Sequence, residues 1–197
     1  QSANPYNAGD VNGDGLDDIV VGDRFDDTNG ENSGAGYVVF GKKNGTAVEL
    51  SQIANDTNNG GFVINGVAQD DLFGSSFGAA GDVNGDGLGD IIMGSPGLNS
   101  HSVSGSGASH VIFGKTDGLS LSLSEVAEDE NNNGFAIHGE SIKDRSGSSV
   151  SGAGDVNGDG LDDLIVGSPR VASGYIPWPG SAHVVFGKTD GTAVELS

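Results

Sequence analysis

The sequence predicts an all-β protein built from propeller-type blades of four antiparallel strands, and three observations carry that prediction. The decamer GDVNGDGLDD at 9–18 returns as GDVNGDGLGD at 81–90 and as GDVNGDGLDD at 154–163, so nearly the whole chain is periodic at about 72 residues. Each period holds short apolar runs: DIVVG and YVVFG, then DIIMG and HVIFG, then DLIVG and HVVFG. No window has convincing helical periodicity; VELSQIA at 48–54 and LSLSEVA at 121–127 make a helical turn at most.

In the second repeat the elements fall in order. Strand A covers 73–80, strand B 90–94, strand C 108–113 and strand D 134–138. Each is a run of β-branched, aromatic or small residues bounded by Gly, Asn, Asp or Pro. Four such strands every 40 to 70 residues form a propeller-type blade. A blade cannot bury both faces alone, so it stacks on its neighbours. The small residues of FGSSFGAAG suit an inner strand, where blades crowd together. The expected blades are 1–72, 73–145 and 146–197, forming one continuous segment. In the first, SANPYNAGD offers only a degenerate strand A; the third stops at TAVELS before any strand D. Three incomplete blades fall short of the four to eight of a closed propeller. Head-to-tail self-association is therefore expected, with a six-blade ring of two chains favoured over an open fibre.

Bulk properties exclude several functions. The 197 residues carry a formal net charge of −20 and a pI near 4.1. Nucleic acid and anionic membrane surfaces are thus excluded as simple electrostatic partners. Cysteine is absent, so no disulfide braces the fold, and no stretch approaches the ~18 apolar residues of a membrane span. No nucleophile elbow, HExxH or phosphate-binding loop is present. The expectation is a protein without enzymatic activity.

The decamer itself reads D-x-N-x-D-G-x-x-D. In the second copy, Asp82, Asn84 and Asp86 occupy positions 1, 3 and 5, where a tight loop turns three side-chain oxygens inward. Gly87 permits the sharp turn, the Leu88 carbonyl can point in, and Asp90 closes the site. The same roles fall on Asp10, Asn12, Asp14, Leu16 and Asp18, and again on Asp155, Asn157, Asp159, Leu161 and Asp163. An all-oxygen donor set of this kind favours calcium, which tolerates six to eight ligands in irregular geometry. The competing reading is an Asx-rich hairpin turn without metal; three intact copies favour calcium, at three sites.

Other residues divide between packing and ligand binding. His110 and His183 share a strand C position with Tyr37, and His138 matches Asn65, substitutions that favour packing over metal ligation. The segment RVASGYIPWPGS at 170–181 holds the only Trp and is aromatic where the equivalent loops at 24–34 and 97–107 are polar. In an up-and-down blade these B-to-C loops lie at the end opposite the A-to-B decamers. The ligand-face candidates are therefore Arg24, Arg170, Tyr175 and Trp178, with packing of Trp178 over a blade edge as the alternative.

The segment FGSSFGAAGDVNGDGLGDIIMGSPG at 73–97 resembles an FG-GAP repeat of the integrin α-subunit propeller type. Phe73 and Gly74 stand for its FG; Gly94, Ser95 and Pro96 stand for its GAP, as do Gly167, Ser168 and Pro169. The first repeat departs from the pattern with Gly22, Asp23 and Arg24. The resemblance implies an extracellular or cell-surface adhesion or structural module, with calcium as structural cofactor and a protein or glycan ligand. Two other readings stay open: a carbohydrate-binding propeller stacking sugars on Tyr175 and Trp178, and an accessory domain of a larger secreted enzyme.

Overall fold

Runs of β-branched and aromatic residues alternating with Gly- and Asp-rich turns leave the chain little choice but short antiparallel strands. The structure, a computed structural model, describes residues 5–54, 60–99, 103–127, 132–169 and 180–196. Three sheets result. The first contains β1 (Pro5–Gly9), β2 (Asp18–Asp23), β3 (Ala35–Val39) and β4 (Gly61–Asn65). The second contains β5 (Ser76–Gly81), β6 (Asp90–Ser95), β7 (Ala108–Ile112) and, beyond the two-residue β8 (Leu121–Ser122), β9 (Gly134–His138). The third contains β10 (Ser149–Gly154), β11 (Asp163–Ser168) and β12 (Ser181–Val185). Neighbours in each blade are antiparallel and follow chain order.

Each decamer is the hairpin between a blade's first two strands. The register shifts at Asn7/Gly9, Ala79/Gly81 and Gly152/Gly154, so all three hairpins carry the same bulge. The first blade therefore has a complete strand A, correcting the expectation of a degenerate one: Pro5 to Asn7 pair with Ile19 to Val21 in the same way as their counterparts. In the second blade, strand A begins at Ser76 rather than 73. Phe73 is fully buried and forms a lone parallel bridge to Gly34 of the preceding blade, and this contact takes it out of the ladder. Among the described residues the third blade shows three strands, β10 to β12.

One device was not legible in the repeat pattern. β8 pairs in parallel with β4 of the first sheet, and β13 (Val194–Glu195) pairs in parallel with β9 of the second. In the second and third blades the chain after strand C thus reaches back and adds a fifth strand to the blade before it. Short helices α1 (Leu50–Ala54) and α2 (Leu123–Ala127) follow strand C in the first and second blades, the single turns the sequence allowed.

The core repeats as the sequence does. Between the first and second blades lie Val11, Val20, Val38, Phe40 and Phe62 from one side and Ile91, Met93, Ile112 and Leu123 from the other. Between the second and third lie Val83, Ile92, Val111, Phe113 and Phe135, facing Leu164, Val166, Val185 and Leu196. The edge-to-face pair Phe40–Phe62, at 5.9 Å, recurs as Phe113–Phe135 at 6.0 Å. Burying these β-branched and aromatic side chains stabilises each junction by roughly 1.5–3 kcal/mol per side chain before the entropy of ordering them is subtracted.

Candidate metal centre

The three decamer loops have one backbone design. In the first, Asp10 Oδ1 accepts from the N–H groups of Gly13 (2.8 Å) and Asp14 (3.0 Å), and Oδ2 accepts from Gly15 (2.8 Å). Asn12 Oδ1 accepts from Asp14 N–H and Asp14 Oδ1 from Leu16 N–H. Asp82, Asn84 and Asp86 repeat these bonds, as do Asp155, Asn157 and Asp159. Gly15, Gly87 and Gly160 take φ of 84°, 89° and 94°, a region costly for any other residue and the reason position 6 is glycine.

The last carboxylate has a different setting. Asp18, Asp90 and Asp163 are buried, and each bridges two backbone donors. Asp90 Oδ2 accepts from Val83 N–H and Oδ1 from Gly114 N–H, both at 2.8 Å. Asp18 bridges Val11 and Gly41, and Asp163 bridges Val156 and Gly187. Burial pushes the Asp90 carboxyl up to about 7 against the opposing pull of its two N–H donors. Burial likewise raises Asp18. Position 9 therefore ties its loop to the end of strand C, a role that spacing alone did not reveal.

The loops also fasten blade to blade. The Asp10 and Val11 carbonyls accept from Gly89 N–H (2.8 Å) and Lys115 N–H (2.9 Å) of the second blade. Asp82 and Val83 accept from Asp162 (3.0 Å) and Lys188 (2.9 Å) of the third.

The donor set fits a hard cation. Each loop carries three carboxylates and one amide oxygen along its length, and a carboxylate has lone pairs beyond those its N–H donors use. Among the described residues, no three His, Asp or Glu side chains converge as a ready-made cage. The loop carboxylates are instead spread over backbone N–H groups.

The histidines follow the packing reading. His110 is buried with its ring edge-to-face on Phe73, centroids 5.9 Å apart, and burial lowers its pKa to about 3. Tyr37 OH donates to Asp26, and His183 Nε2 lies 2.9 Å from Ser181 Oγ. Of the ligand-face candidates, Arg24 follows β2 at the end opposite the decamers and stacks on Phe25 at 4.6 Å. Arg170, Tyr175 and Trp178 lie outside the described residues.

The FG and GAP positions also gain a physical meaning. A Cβ on Gly94 would come within 1.9 Å of the Gly147 carbonyl, and one on Gly22 within 2.4 Å of the Gly74 carbonyl. The first residue of GAP in one blade is therefore glycine because the FG turn of the next blade passes over it. The first repeat keeps this glycine while departing at Asp23 and Arg24.

Comparison with known proteins agrees with this architecture. The FG-GAP repeat model matches residues 73–112 and 146–185. Integrin alpha pat-2 of Caenorhabditis elegans is 30% identical over 93% of this chain and 14% of its own length. Mouse integrin alpha-7 is 31% identical over 81% of the chain and 11% of its own length. Mouse phosphatidylinositol-glycan-specific phospholipase D is 36% identical over 56% of the chain and 12% of its own length. The chain thus spans about an eighth of the length of these relatives. With two model-matched repeats, a first repeat that pairs in the same register, and blades that interlock through their FG and GAP glycines, the chain belongs to the FG-GAP repeat family.

Proposed function

We propose that this chain is a calcium-binding, non-catalytic adhesion or surface-structural module of an extracellular or cell-surface protein. The observation that carries the reading is the threefold recurrence of one loop with the same donor set and the same backbone N–H bonds to its carboxylates, tied to the next blade in the first and second repeats. Asp82, Asn84, Asp86, the Leu88 carbonyl and Asp90 would hold one ion, and their counterparts in the other loops would hold two more. The cation would supply positive charge where three carboxylates repel, stiffening both the loop and the blade junction it fastens. The integrins matched over most of the chain support a role in adhesion, and the phospholipase D shares only 12% of its length with this chain. Thermal unfolding with and without exhaustive chelation tests the reading. The melting temperature falls by many degrees on chelation, and an unchanged curve refutes calcium as a structural cofactor.

The reading includes contacts between copies. Val156, Ile165, Val184 and Phe186 on the third blade are 40% to 56% exposed, whereas their equivalents Val83, Ile92, Val111 and Phe113 are buried under the third blade. Ile19 is exposed on the opposite face of the first blade, whereas its equivalents Ile91 and Leu164 are packed into junctions. Exposed apolar residues on two different faces of one molecule favour heterologous, head-to-tail association.

A further inference from the structure

At the end of the blades opposite the decamers lies a cleft of about 610 Å³ walled by loops of all three repeats. Arg24 enters from the β2–β3 loop, Asn99 and Ser104 from the β6–β7 loop, and Lys143 and Arg145 from the β9–β10 link. The chain has only eight Lys and Arg against 28 Asp and Glu, yet three of the eight line this cleft, and among the described residues no carboxylate does.

The local structure arranges this segregation. In the run Lys143-Asp144-Arg145, both cationic residues take positive φ, 65° and 54°. The intervening Asp144 is buried, accepting from Ser141 N–H at 2.8 Å. The acid is thus turned into the protein while its two basic neighbours stay exposed. The Arg24 guanidinium carbon lies over the Phe25 ring, 4.6 Å from its centroid, a contact with the ring face that uses none of its N–H donors in a hydrogen bond. Asn99 Oδ1 accepts from Gly105 N–H, so this side chain has only its Nδ2 donors left to offer. Lys115 and Lys188 sit in the C-to-D loops at the other end and pair with Asp117 (3.0 Å) and Asp190 (2.8 Å). Arg24, Lys143 and Arg145 make no ion pair among the described residues.

We propose that this cleft binds a short peptide segment bearing one or two carboxylates, with Arg24, Lys143 and Arg145 as its charge partners and Asn99 as a neutral donor. Guanidinium groups take carboxylates bidentately, and two arginines with a lysine suit one or two such groups. A long polyanion is disfavoured, because beyond the cleft it meets a protein of net charge −20. Among the described residues no aromatic ring lines the cleft.

The inference rests on the adhesion reading of this end of the blades and is independent of the metal. It is tested by fluorescence anisotropy with a labelled acetyl-Gly-Asp-Gly-Glu-Gly amide peptide, in excess calcium at low salt. The isosteric Asn/Gln peptide serves as the neutral control. The expected result is saturable binding of the acidic peptide alone, weakened at least tenfold by combined Arg24→Gln, Lys143→Gln and Arg145→Gln, and weakened by salt. Lys42→Gln with Lys43→Gln, outside the cleft, leaves binding unchanged. Equal binding of the neutral peptide, no effect of the triple variant, or no binding up to millimolar peptide overturns the proposal. Binding of an alginate oligosaccharide in place of the peptide also overturns it. Counting calcium on the same triple variant separates the two readings: a normal count with no peptide binding sinks this inference alone.

Discussion

Position 9 of each loop is both a proposed cation ligand and an architectural bridge, whereas position 5 is only the former, and paired substitutions separate the two roles. Asp90 is fully buried and accepts from two backbone N–H groups at 2.8 Å. Asp90→Ala leaves both donors without a partner, at about 1–3 kcal/mol each, so the loss without any calcium is about 2–6 kcal/mol. Asp86 is exposed, and its partners are Leu88 N–H and Asn84 Nδ2, which water reaches when the carboxylate is removed. Asp86→Ala therefore costs about 1 kcal/mol or less in chelator. With calcium at a hundredfold excess over its dissociation constant, each variant forgoes about 2.7 kcal/mol more, the contribution of one occupied site. Urea unfolding of both variants and the parent, in chelator and in calcium, yields all four differences. If Asp90→Ala is no worse than Asp86→Ala in chelator, the bridging role is wrong. If Asp86→Ala loses nothing further in calcium, the loop is not a cation site.

Three further outcomes follow from burial and charge. Asp90 in the metal-free fold holds its proton up to about pH 7, well above its unfolded value, so at pH 6 cation binding must expel a proton. Calcium affinity then rises from pH 6 to 7.5, with proton release measurable by calorimetry in two buffers of different ionisation enthalpy; pH-independent affinity without release contradicts this. His110, lowered to about 3 by burial and by the nearby charge of His138, stays neutral in the fold while the unfolded chain protonates near 6.5. Stability present above the unfolded value is therefore lost as pH falls from about 6.5 towards 3, by up to about 1.4 kcal/mol per pH unit. His110→Gln flattens that slope between pH 6.5 and 5, and an identical slope would remove His110 as its source. Sedimentation velocity at tens of micromolar shows head-to-tail association of the parent, which Val184→Lys abolishes without lowering the melting temperature; a monomeric parent refutes the contact.

Most of the strand plan was legible because the repeat states it three times. The turns Gly13 to Leu16 and their copies fix where strand A ends and strand B begins, and short apolar runs such as YVVF and HVIF between turn residues read as buried strands. The first-blade strand A was obscured by PYNAG, which has weak β propensity; pairing of Pro5 to Asn7 with Ile19 to Val21 overrides it. The two-residue strands β8 and β13 were invisible, since Leu121–Ser122 and Val194–Glu195 pair only because a neighbouring blade presents β4 and β9. At the loops, the spacing of Asp82, Asn84 and Asp86 revealed a donor set but not that Asp90 reaches Gly114, 24 residues away. The cationic cleft was equally hidden. Arg24 and Arg145 are far apart in sequence, and the inward turn of Asp144 between Lys143 and Arg145 depends on backbone conformation rather than composition.

The central claim, that the three decamers are cation sites and that the first two lock one blade to the next, is tested most directly by counting calcium. Equilibrium dialysis of the chelator-stripped chain against calcium at neutral pH should give three ions per chain, falling to two on Asp86→Ala. Binding of no calcium at millimolar concentration, or a count unchanged by Asp86→Ala, would show that these loops are hydrogen-bonded turns and nothing more.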